Sequence, residues 1–310
     1  MKFMRSFLLV GFIVLVLNSA KAQYIIPANV HRIVFLGNSI TYSGQYITDV
    51  EAYLIAKYPN RKFEIINVGL PSETVSGLSE EGHAGGQFPR PDLHERLTRV
   101  LEKTKPDLVF ASYGMNDGIY MPLDNMRFQK YKDGISWLHE QVVKTGAKIV
   151  HLTPPVFDEK SWAVKGYSSV LDSYSEWLLQ QREKQEWAVA DVHFPMQKSL
   201  EEYRKADSTF YFAKDGVHPG AVGHWVMAQQ ILLFLGEKEV ADAKNINEAL
   251  ASFPKGEEIL KLTTQRQAIT KDSWLTAIGH KRPGMAVGLP LDSAIIQAKK
   301  IEMQIRDIIE

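Results

Sequence analysis

The sequence predicts an α/β protein in which a parallel five-stranded sheet lies between layers of helices. Short apolar segments alternate along the chain with longer amphipathic segments, which is typical of βαβ units. The short segments carry few polar residues, as expected for strands that are buried on both faces. Right-handed crossovers would then place helices on both sides of the sheet.

Each element follows from a short pattern. The predicted strands span residues 32–36, 63–67, 107–112, 147–152 and 187–192. The predicted helices span residues 45–58, 92–104, 124–144, 167–185 and 219–235. Pro219 suits the first turn of the last of these helices, since its fixed φ angle is helical and it lacks an N–H that would go unpaired there.

The pattern changes near residue 240 to amphipathic helices without intervening strands. Residues 241–310 are therefore predicted to form an α-helical extension packed on a main domain of residues 23–240. A segment rich in Gly and Pro, residues 274–290, is expected to interrupt this extension as an ordered loop. Another such loop, residues 79–91, is long, which favours a functional surface.

Residues 1–22 are predicted to be a signal peptide. A basic start, MKFMRS, precedes the apolar run FLLVGFIVLVL, and the small residues Ala20 and Ala22 suit a cleavage site. Cleavage after Ala22 would leave Gln23 first and place the protein in the periplasm of a bacterial envelope or outside the cell. The alternative is an uncleaved anchor. After cleavage no stable membrane insertion is expected, because no other segment is long and apolar enough.

The composition argues against several classes of protein. The 310 residues include no cysteine, which excludes disulfides, thiolate catalysis and zinc held by cysteine. Basic and acidic residues number 36 each, so no nucleic-acid partner is expected. The chain has no P-loop motif, no His-Glu-x-x-His zinc motif and no second cluster of ligands for a metal pair, so neither a metal nor a cofactor is expected.

Ser39 follows the first predicted strand, in the segment IVFLGNSIT of residues 33–41. Open α/β sheets bind ligands at the carboxyl ends of their strands, so Ser39 is a candidate nucleophile. Gly37 is expected to adopt a backbone angle that other residues resist. The alternative is that Ser39 only caps the next helix.

A serine nucleophile needs a base within hydrogen-bond reach and a third group that orients the base. His218 suits this role, because Asp215 precedes it by three residues in AKDGVHPGAVG. Asn116 follows the third strand in the segment GMND, where its side-chain N–H could face a developing oxyanion. The alternatives are a helix-capping turn at Asp215 and an Asx turn at Asn116.

Together these segments resemble the SGNH (GDSL) hydrolase family. GNSIT is similar to its first block, NVGLPSETV to its second, GMND to its third and DGVH to its last, in the family's order over roughly residues 31–235. The resemblance implies a three-layer α/β/α sandwich with the flavodoxin-like SGNH hydrolase fold. It also implies that Ser39 is the nucleophile, His218 the base and Asp215 its orienting acid.

The resemblance further implies an oxyanion hole formed by the Ser39 backbone N–H, by Asn116 and by an amide of the second block. The family commonly has glycine where this chain has Ser72. The Ser72 amide is the expected donor, although serine resists positive φ angles, and the Gly69 amide is the alternative. Asn38 replaces the usual Asp of the first block and keeps an acceptor for the turn.

The activity that the resemblance implies is ester hydrolysis through an acyl-enzyme. The family includes lipases, lysophospholipases, thioesterases and carbohydrate acetylesterases, and the chain is similar to a secreted bacterial subgroup often found with polysaccharide-degrading enzymes. The favoured substrate is an O-acetyl ester on a small or polymeric carbohydrate. The alternatives are a lipid ester, a thioester, acetyl transfer to a sugar and a non-catalytic glycan-binding module. Aromatic residues near predicted loops support the sugar: Tyr42, Tyr113, Tyr120, Trp162 and Trp274.

Overall fold

A computed structural model of the protein describes residues 24–162 and 165–309. The predicted signal peptide, residues 1–22, lies outside the described residues. The five predicted strands are confirmed and form one parallel sheet in the order β2-β1-β3-β4-β5. They are β1 (Arg32–Gly37), β2 (Glu64–Asn67), β3 (Leu108–Ser112), β4 (Lys148–Leu152) and β5 (Ala188–Ala190).

Helices flank the sheet, which confirms the predicted three-layer α/β/α class. From β1 to β2 the chain moves toward one edge of the sheet, and from β2 onward it moves toward the other edge. Right-handed crossovers therefore place the helix after β1 on one face of the sheet and the helices after β3 and β4 on the opposite face. The helices are α1 (Ser39–Ser43), α2 (Gln45–Lys57), α3 (Leu97–Thr104), α4 (Asn125–Lys144), α5 (Tyr167–Lys184), α6 (His193–Ala206), α7 (Ala221–Phe234), α8 (Ile246–Leu250), α9 (Gly256–Ile278) and α10 (Leu291–Ile309).

Apolar side chains from the sheet and its helices form one continuous core. Val34 of β1 is fully buried and pairs with Ile66 on one side and Val109 on the other. On the outer helical layer, the rings of Tyr131 in α4 and Tyr174 in α5 stack with centroids 4.1 Å apart. The near-continuous apolar strands are explained by this burial on both faces.

Three helix boundaries differ from the prediction. Helix α9 continues to Ile278, so the first five residues of the loop predicted over residues 274–290 are helical, and the loop begins at Gly279. The helix predicted over residues 92–104 begins only at Leu97, after a 3₁₀ turn over Leu93–Glu95. Arg96 separates the two with a non-helical φ of −124° and ψ of −12°. The helix predicted to begin at Pro219 begins at Ala221 with Gly220 as its N-cap, so the proline lies before the helix. Helix α6 was not predicted from the sequence.

The C-terminal extension consists of helices, as predicted. Its long helix α9 lies against α2 and β2, where Gln267 donates hydrogen bonds to the Ile65 carbonyl at 3.0 Å and to the Glu51 carboxylate at 2.6 Å. Arg266 pairs with the same carboxylate at 2.6 Å. The boundary at residue 240 stays a prediction. No helix in the described ranges has the length and apolar character needed to cross a bilayer.

Candidate active site

The carboxyl ends of β1 and β3 lie side by side, because Gly37 of β1 pairs with Ser112 of β3. The chain leaves β1 into the turn that carries Ser39 and leaves β3 into the loop that carries Asn116. Both predicted groups therefore start from one edge of the sheet, where open α/β folds place their ligands.

The turn that carries Ser39 is held by its two preceding residues. The Asn38 side chain accepts a hydrogen bond from the Ile40 amide at 3.1 Å and caps α1, so the turn keeps the acceptor expected of it. The expectation for Gly37 was wrong, since Gly37 is not among the residues with positive φ. Glycine is needed there for close packing, because a Cβ atom would lie 2.7 Å from the Ser112 carbonyl oxygen and 2.3 Å from Thr41 Oγ1.

The structure brings Ser39, His218 and Asp215 together. The Ser39 hydroxyl lies 2.8 Å from His218 Nε2, although the two residues are 179 positions apart. On the other side of the ring, His218 Nδ1 lies 2.6 Å from Asp215 Oδ2. With the ring proton on Nδ1 facing the carboxylate, Nε2 is free to accept the serine proton.

Asp215 is fixed by its own turn. Its Oδ1 atom accepts hydrogen bonds from the backbone amides of His218 at 2.8 Å and Val217 at 3.0 Å, and its Oδ2 atom faces the ring. Burial acts to raise the pKa of Asp215, but these hydrogen bonds outweigh it and lower the pKa below its usual value. Asp215 therefore stays a carboxylate over the pH range in which a neutral histidine can act as a base.

A second histidine lies behind the site. His224 Nε2 is 3.1 Å from Ser43 Oγ on the helix that begins with Ser39. Burial, reinforced by the nearby His218, lowers the pKa of His224 to about 4. His224 is therefore neutral at neutral pH and adds no positive charge that would oppose protonation of His218.

Ser72 has the backbone conformation that the family pattern requires of a glycine. Its φ is 67°, in the left-handed region. No hydrogen bond from the Ser72 amide is found within residues 24–162 and 165–309. The Gly69 amide, by contrast, donates to Asn67 Oδ1 at 2.9 Å. Of the two amides, only that of Ser72 has no hydrogen-bond partner among the described residues.

The Asn116 side chain is buried, and hydrogen bonds at its nitrogen and at its oxygen fix its orientation. Its Nδ2 atom donates to the Glu73 carbonyl at 3.1 Å, and its Oδ1 atom accepts from the Tyr120 hydroxyl at 3.0 Å. Burial raises the pKa of Tyr120, so this hydroxyl stays protonated and keeps donating. One Nδ2 hydrogen of Asn116 remains for a substrate oxygen.

A buried ion pair holds the loop that carries Ser72. Glu73 and Arg96 are both fully buried and form two contacts of 2.6 and 2.7 Å. Tyr113, the residue that follows β3, donates to the same carboxylate at 2.6 Å. Asp117 adds a second link, since its Oδ1 atom accepts from the Val75 amide at 2.8 Å. These contacts fix the two oxyanion candidates relative to each other.

Sequence reasoning missed Arg90, the residue that ties the 79–91 loop to the site. Its guanidinium makes two contacts of 2.6 Å with Glu80 and lies 5.2 Å from the centre of the Tyr120 ring. Its Nη1 atom lies 3.5 Å from the Ser72 carbonyl oxygen. Tyr120 and the preceding Ile119 both have positive φ, at 55° and 47°. No local sequence signal marks that strained turn, because neither residue type favours it.

The five aromatic residues singled out from the sequence divide into two groups. Tyr113 and Trp274 are buried and belong to the core. The other three, Tyr42, Tyr120 and Trp162, are partly exposed. The Tyr120 and Trp162 rings stack with centroids 4.9 Å apart. Among the described residues, no group of three or more His, Asp or Glu side chains is arranged to hold a metal ion.

The fold defines a class, the open α/β/α proteins with a parallel sheet, and in this chain a serine, a histidine and an aspartate meet near the carboxyl edge of that sheet. Residues 35–226 match the model of the GDSL-like lipase/acylhydrolase family, and this match covers more than half of the chain. The chain belongs to this family, which confirms the resemblance found in its sequence motifs. No curated protein matches the chain.

Several solved structures share the fold. A gut microbial diltiazem-metabolizing enzyme, BT4096, is 24% identical, with a TM-score of 0.57 over 69% of this chain and 48% of its own. The match thus spans about half the length of that enzyme. LAE5, an alpha/beta hydrolase from the metagenome of Lake Arreo in Spain, is 24% identical, with a TM-score of 0.52 over 66% and 95%. Axe2, an acetylxylan esterase from Geobacillus stearothermophilus, is 22% identical, with a TM-score of 0.52 over 66% and 94%.

Proposed function

We propose that this ester hydrolase is a serine esterase that removes O-acetyl groups from carbohydrates through an acyl-enzyme. Ser39 is the nucleophile, His218 the general base and Asp215 the acid that orients the base. The oxyanion is held by the backbone amides of Ser39 and Ser72 and by the Asn116 side chain. The substrate is a small-molecule or polysaccharide ester, and no metal or cofactor takes part.

The observation that carries this proposal is the 2.8 Å contact between Ser39 Oγ and His218 Nε2. Two side chains so distant in sequence meet only because the fold brings them together. The second ring nitrogen already has its carboxylate partner at 2.6 Å. This is the arrangement that a serine needs to attack a carbonyl carbon at neutral pH.

The acylation step follows from this geometry. His218 accepts the Ser39 proton at Nε2 while Ser39 Oγ bonds to the carbonyl carbon of the ester. The negative charge that develops on the carbonyl oxygen is held by the three N–H donors. As the C–O bond to the alcohol breaks, His218 returns the proton to the departing alkoxide oxygen.

Deacylation repeats these steps with water. His218 accepts a proton from a water molecule, whose oxygen attacks the acyl carbon of the Ser39 ester. The same donors hold the oxyanion, and the proton returns to Ser39 Oγ as the carboxylic acid leaves. The carboxylate of Asp215 stabilises the charged ring in both steps.

Three features support an acetylated carbohydrate as the substrate. Partly exposed aromatic side chains lie near the candidate site: Tyr42 is on α1, three residues after Ser39, and the Tyr120 and Trp162 rings stack on each other beside Asn116. The predicted export would bring the enzyme to polysaccharides outside the cytoplasm. The related fold of Axe2 belongs to an acetylxylan esterase.

A panel of esters tests the substrate. Acetate release from acetylated xylan and from p-nitrophenyl acetate is compared with fatty-acid release from lysophosphatidylcholine and with thiol release from an acyl thioester. Acetate release is expected to have the highest kcat/KM. A higher value for the lipid or the thioester would contradict the carbohydrate assignment, and acetyl transfer to a free sugar instead of water would indicate an acetyltransferase.

Replacing Asn116 by Ala is expected to lower kcat about 10²–10³-fold, the usual effect of removing one oxyanion donor. The substrate is bound before the oxyanion forms, so KM should change much less. Steady-state kinetics with p-nitrophenyl acetate measures both values.

The matched control for this substitution is Asn125→Ala, which removes an exposed amide at the start of α4. Its kcat should equal that of the wild type. A loss below threefold in Asn116→Ala, with thermal unfolding unchanged, would remove Asn116 from the oxyanion hole.

We further propose that the protein acts in the periplasm or outside the cell, after cleavage near Ala22. The basic and apolar N-terminal pattern supports this location. N-terminal sequencing of the exported protein is expected to begin at Gln23, and an intact Met1 on the exported form would contradict it.

A further inference from the structure

We propose that a cavity beside His218 binds the sugar ring that carries the ester. The aromatic subsite, as we name it, is formed by Phe210, Tyr211, Phe212, Lys214 and Val222. Its occupant is the alcohol part of the substrate, a pyranose ring with free hydroxyl groups. This inference rests on the proposed esterase function and assigns one part of the substrate to one part of the surface.

The cavity adjoins two members of the candidate triad. Asp215 and His218 line it together with the aromatic subsite. Its volume is about 400 Å³, within the range of roughly 300–1,000 Å³ that is usual for small-molecule sites. The side chains of His218 and Asp215 are 50% and 56% exposed, so a bound ring can reach them from solvent.

The reaction mechanism places the alcohol part of the ester beside His218. The carbonyl oxygen must point toward the oxyanion donors Ser72 and Asn116. The alcohol oxygen must lie near His218 Nε2, because it receives its proton there as the C–O bond breaks. The group attached to that oxygen therefore extends past the imidazole ring, and the aromatic subsite is the cavity that His218 itself lines.

Tyr211 is the candidate stacking residue in this cavity. Its neighbours Phe210 and Phe212 pack against other aromatic side chains of the protein. Phe210 stacks on Tyr203 with centroids 4.6 Å apart and packs edge-on against Phe212 at 5.4 Å. Tyr211 is 41% exposed. In the part of the chain that the structure describes, its ring and hydroxyl have no aromatic or hydrogen-bond partner.

Lys214 supplies the polar part of the subsite. It is exposed and has no acidic partner among residues 24–162 and 165–309. Its ammonium group carries three hydrogen-bond donors, which suit the hydroxyl groups of a sugar. An apolar ring face beside a free donor is the combination that an amphipathic ring such as a pyranose requires.

The first test compares two esters that share the acetyl group and differ in the alcohol. Tyr211→Ala is expected to lower kcat/KM about tenfold for an acetylated xylotriose, the size of effect that removal of a large aromatic contact commonly has. For ethyl acetate, whose alcohol is too small to reach the cavity, kcat/KM should be unchanged. Tyr211→Phe keeps the ring face and should behave as the wild type on both esters.

The control for surface effects is Ile296→Ala, which removes an exposed apolar side chain on α10. Equal losses on both esters in Tyr211→Ala would mean that Tyr211 supports the fold or the triad, which overturns the proposal. No loss on either ester also overturns it. Lysophosphatidylcholine is assayed as a third ester, and a loss confined to it would assign the cavity to a lipid alcohol and overturn the sugar.

The second test separates this inference from the esterase function. Calorimetry measures binding of the acetylated xylotriose to Ser39→Ala, in which no hydrolysis consumes the ligand. Binding that is lost on adding Tyr211→Ala supports the subsite even in a protein that hydrolyses no ester. Binding that is equal in the two proteins overturns the subsite and leaves the esterase proposal intact.

Discussion

Replacing Ser39 by Ala is expected to reduce kcat for p-nitrophenyl acetate by about 10⁶-fold, the loss that follows when a serine nucleophile is removed from an enzyme of this kind. Without the hydroxyl no acyl-enzyme forms, and the remaining groups can only hold the ester near water. Rates are measured under saturating ester with a correction for spontaneous hydrolysis. The lost side chain makes one contact at a half-exposed site, so thermal unfolding should shift little.

The matched control is Ser43→Ala, which removes a hydroxyl from the same helix. Ser43 contacts His224 and does not contact the His218 ring in the described structure. The Ser43→Ala variant should retain the kcat of the wild type. Equal rates for Ser39→Ala and the wild type, with both folded, would refute the nucleophile assignment and favour a glycan-binding module that has kept the fold.

The strands could be predicted because a strand that is buried on both faces needs apolar residues at nearly every position. A segment such as IVFL is apolar at every position, and the structure buries residues 33–36 on both faces of the sheet. Helix boundaries were less certain because they depend on tertiary contacts. Arg96 interrupts the helix predicted over 92–104, and its side chain leaves the helix surface to pair with buried Glu73.

The candidate catalytic groups could be predicted for a topological reason. Parallel strands end at one edge of the sheet, so residues that follow different strands meet in space. That argument brings Ser39 and Asn116 together. It does not orient their side chains, and the hydroxyl of Tyr120 that orients Asn116 could not be predicted, since it depends on two consecutive residues with positive φ.

The C-terminal extension shows that an amphipathic pattern does not identify the surface on which a helix packs. The pattern of α9 predicts a buried face but does not say which surface covers it. In the structure that face lies on β2 and α2, and the adjoining residues reach the candidate site. Asp272 accepts a hydrogen bond from the Tyr42 hydroxyl at 2.9 Å, and Lys271 Nζ lies 3.9 Å from the Tyr42 ring centre. The extension thus supports the helix that begins with Ser39.

Replacing Asp215 by Asn is expected to reduce kcat by about 10⁴-fold while the turn keeps its shape. The retained oxygen can still accept from the amides of Val217 and His218, as Oδ1 does now at 3.0 and 2.8 Å. The new NH₂ group replaces Oδ2 and donates to Nδ1 of the ring. The ring proton then moves to Nε2, which can no longer accept the proton of Ser39.

The expected defect lies in the tautomer and charge of His218, so it should appear in kcat far more than in KM. Asp207→Asn is the matched control, because Asp207 also accepts from a neighbouring backbone amide, that of Thr209, at 2.8 Å and contacts no histidine in the described structure. Its kcat should equal that of the wild type. If Asp215→Asn keeps more than a tenth of the wild-type kcat, Asp215 only shapes the turn, and the orienting acid must be sought elsewhere.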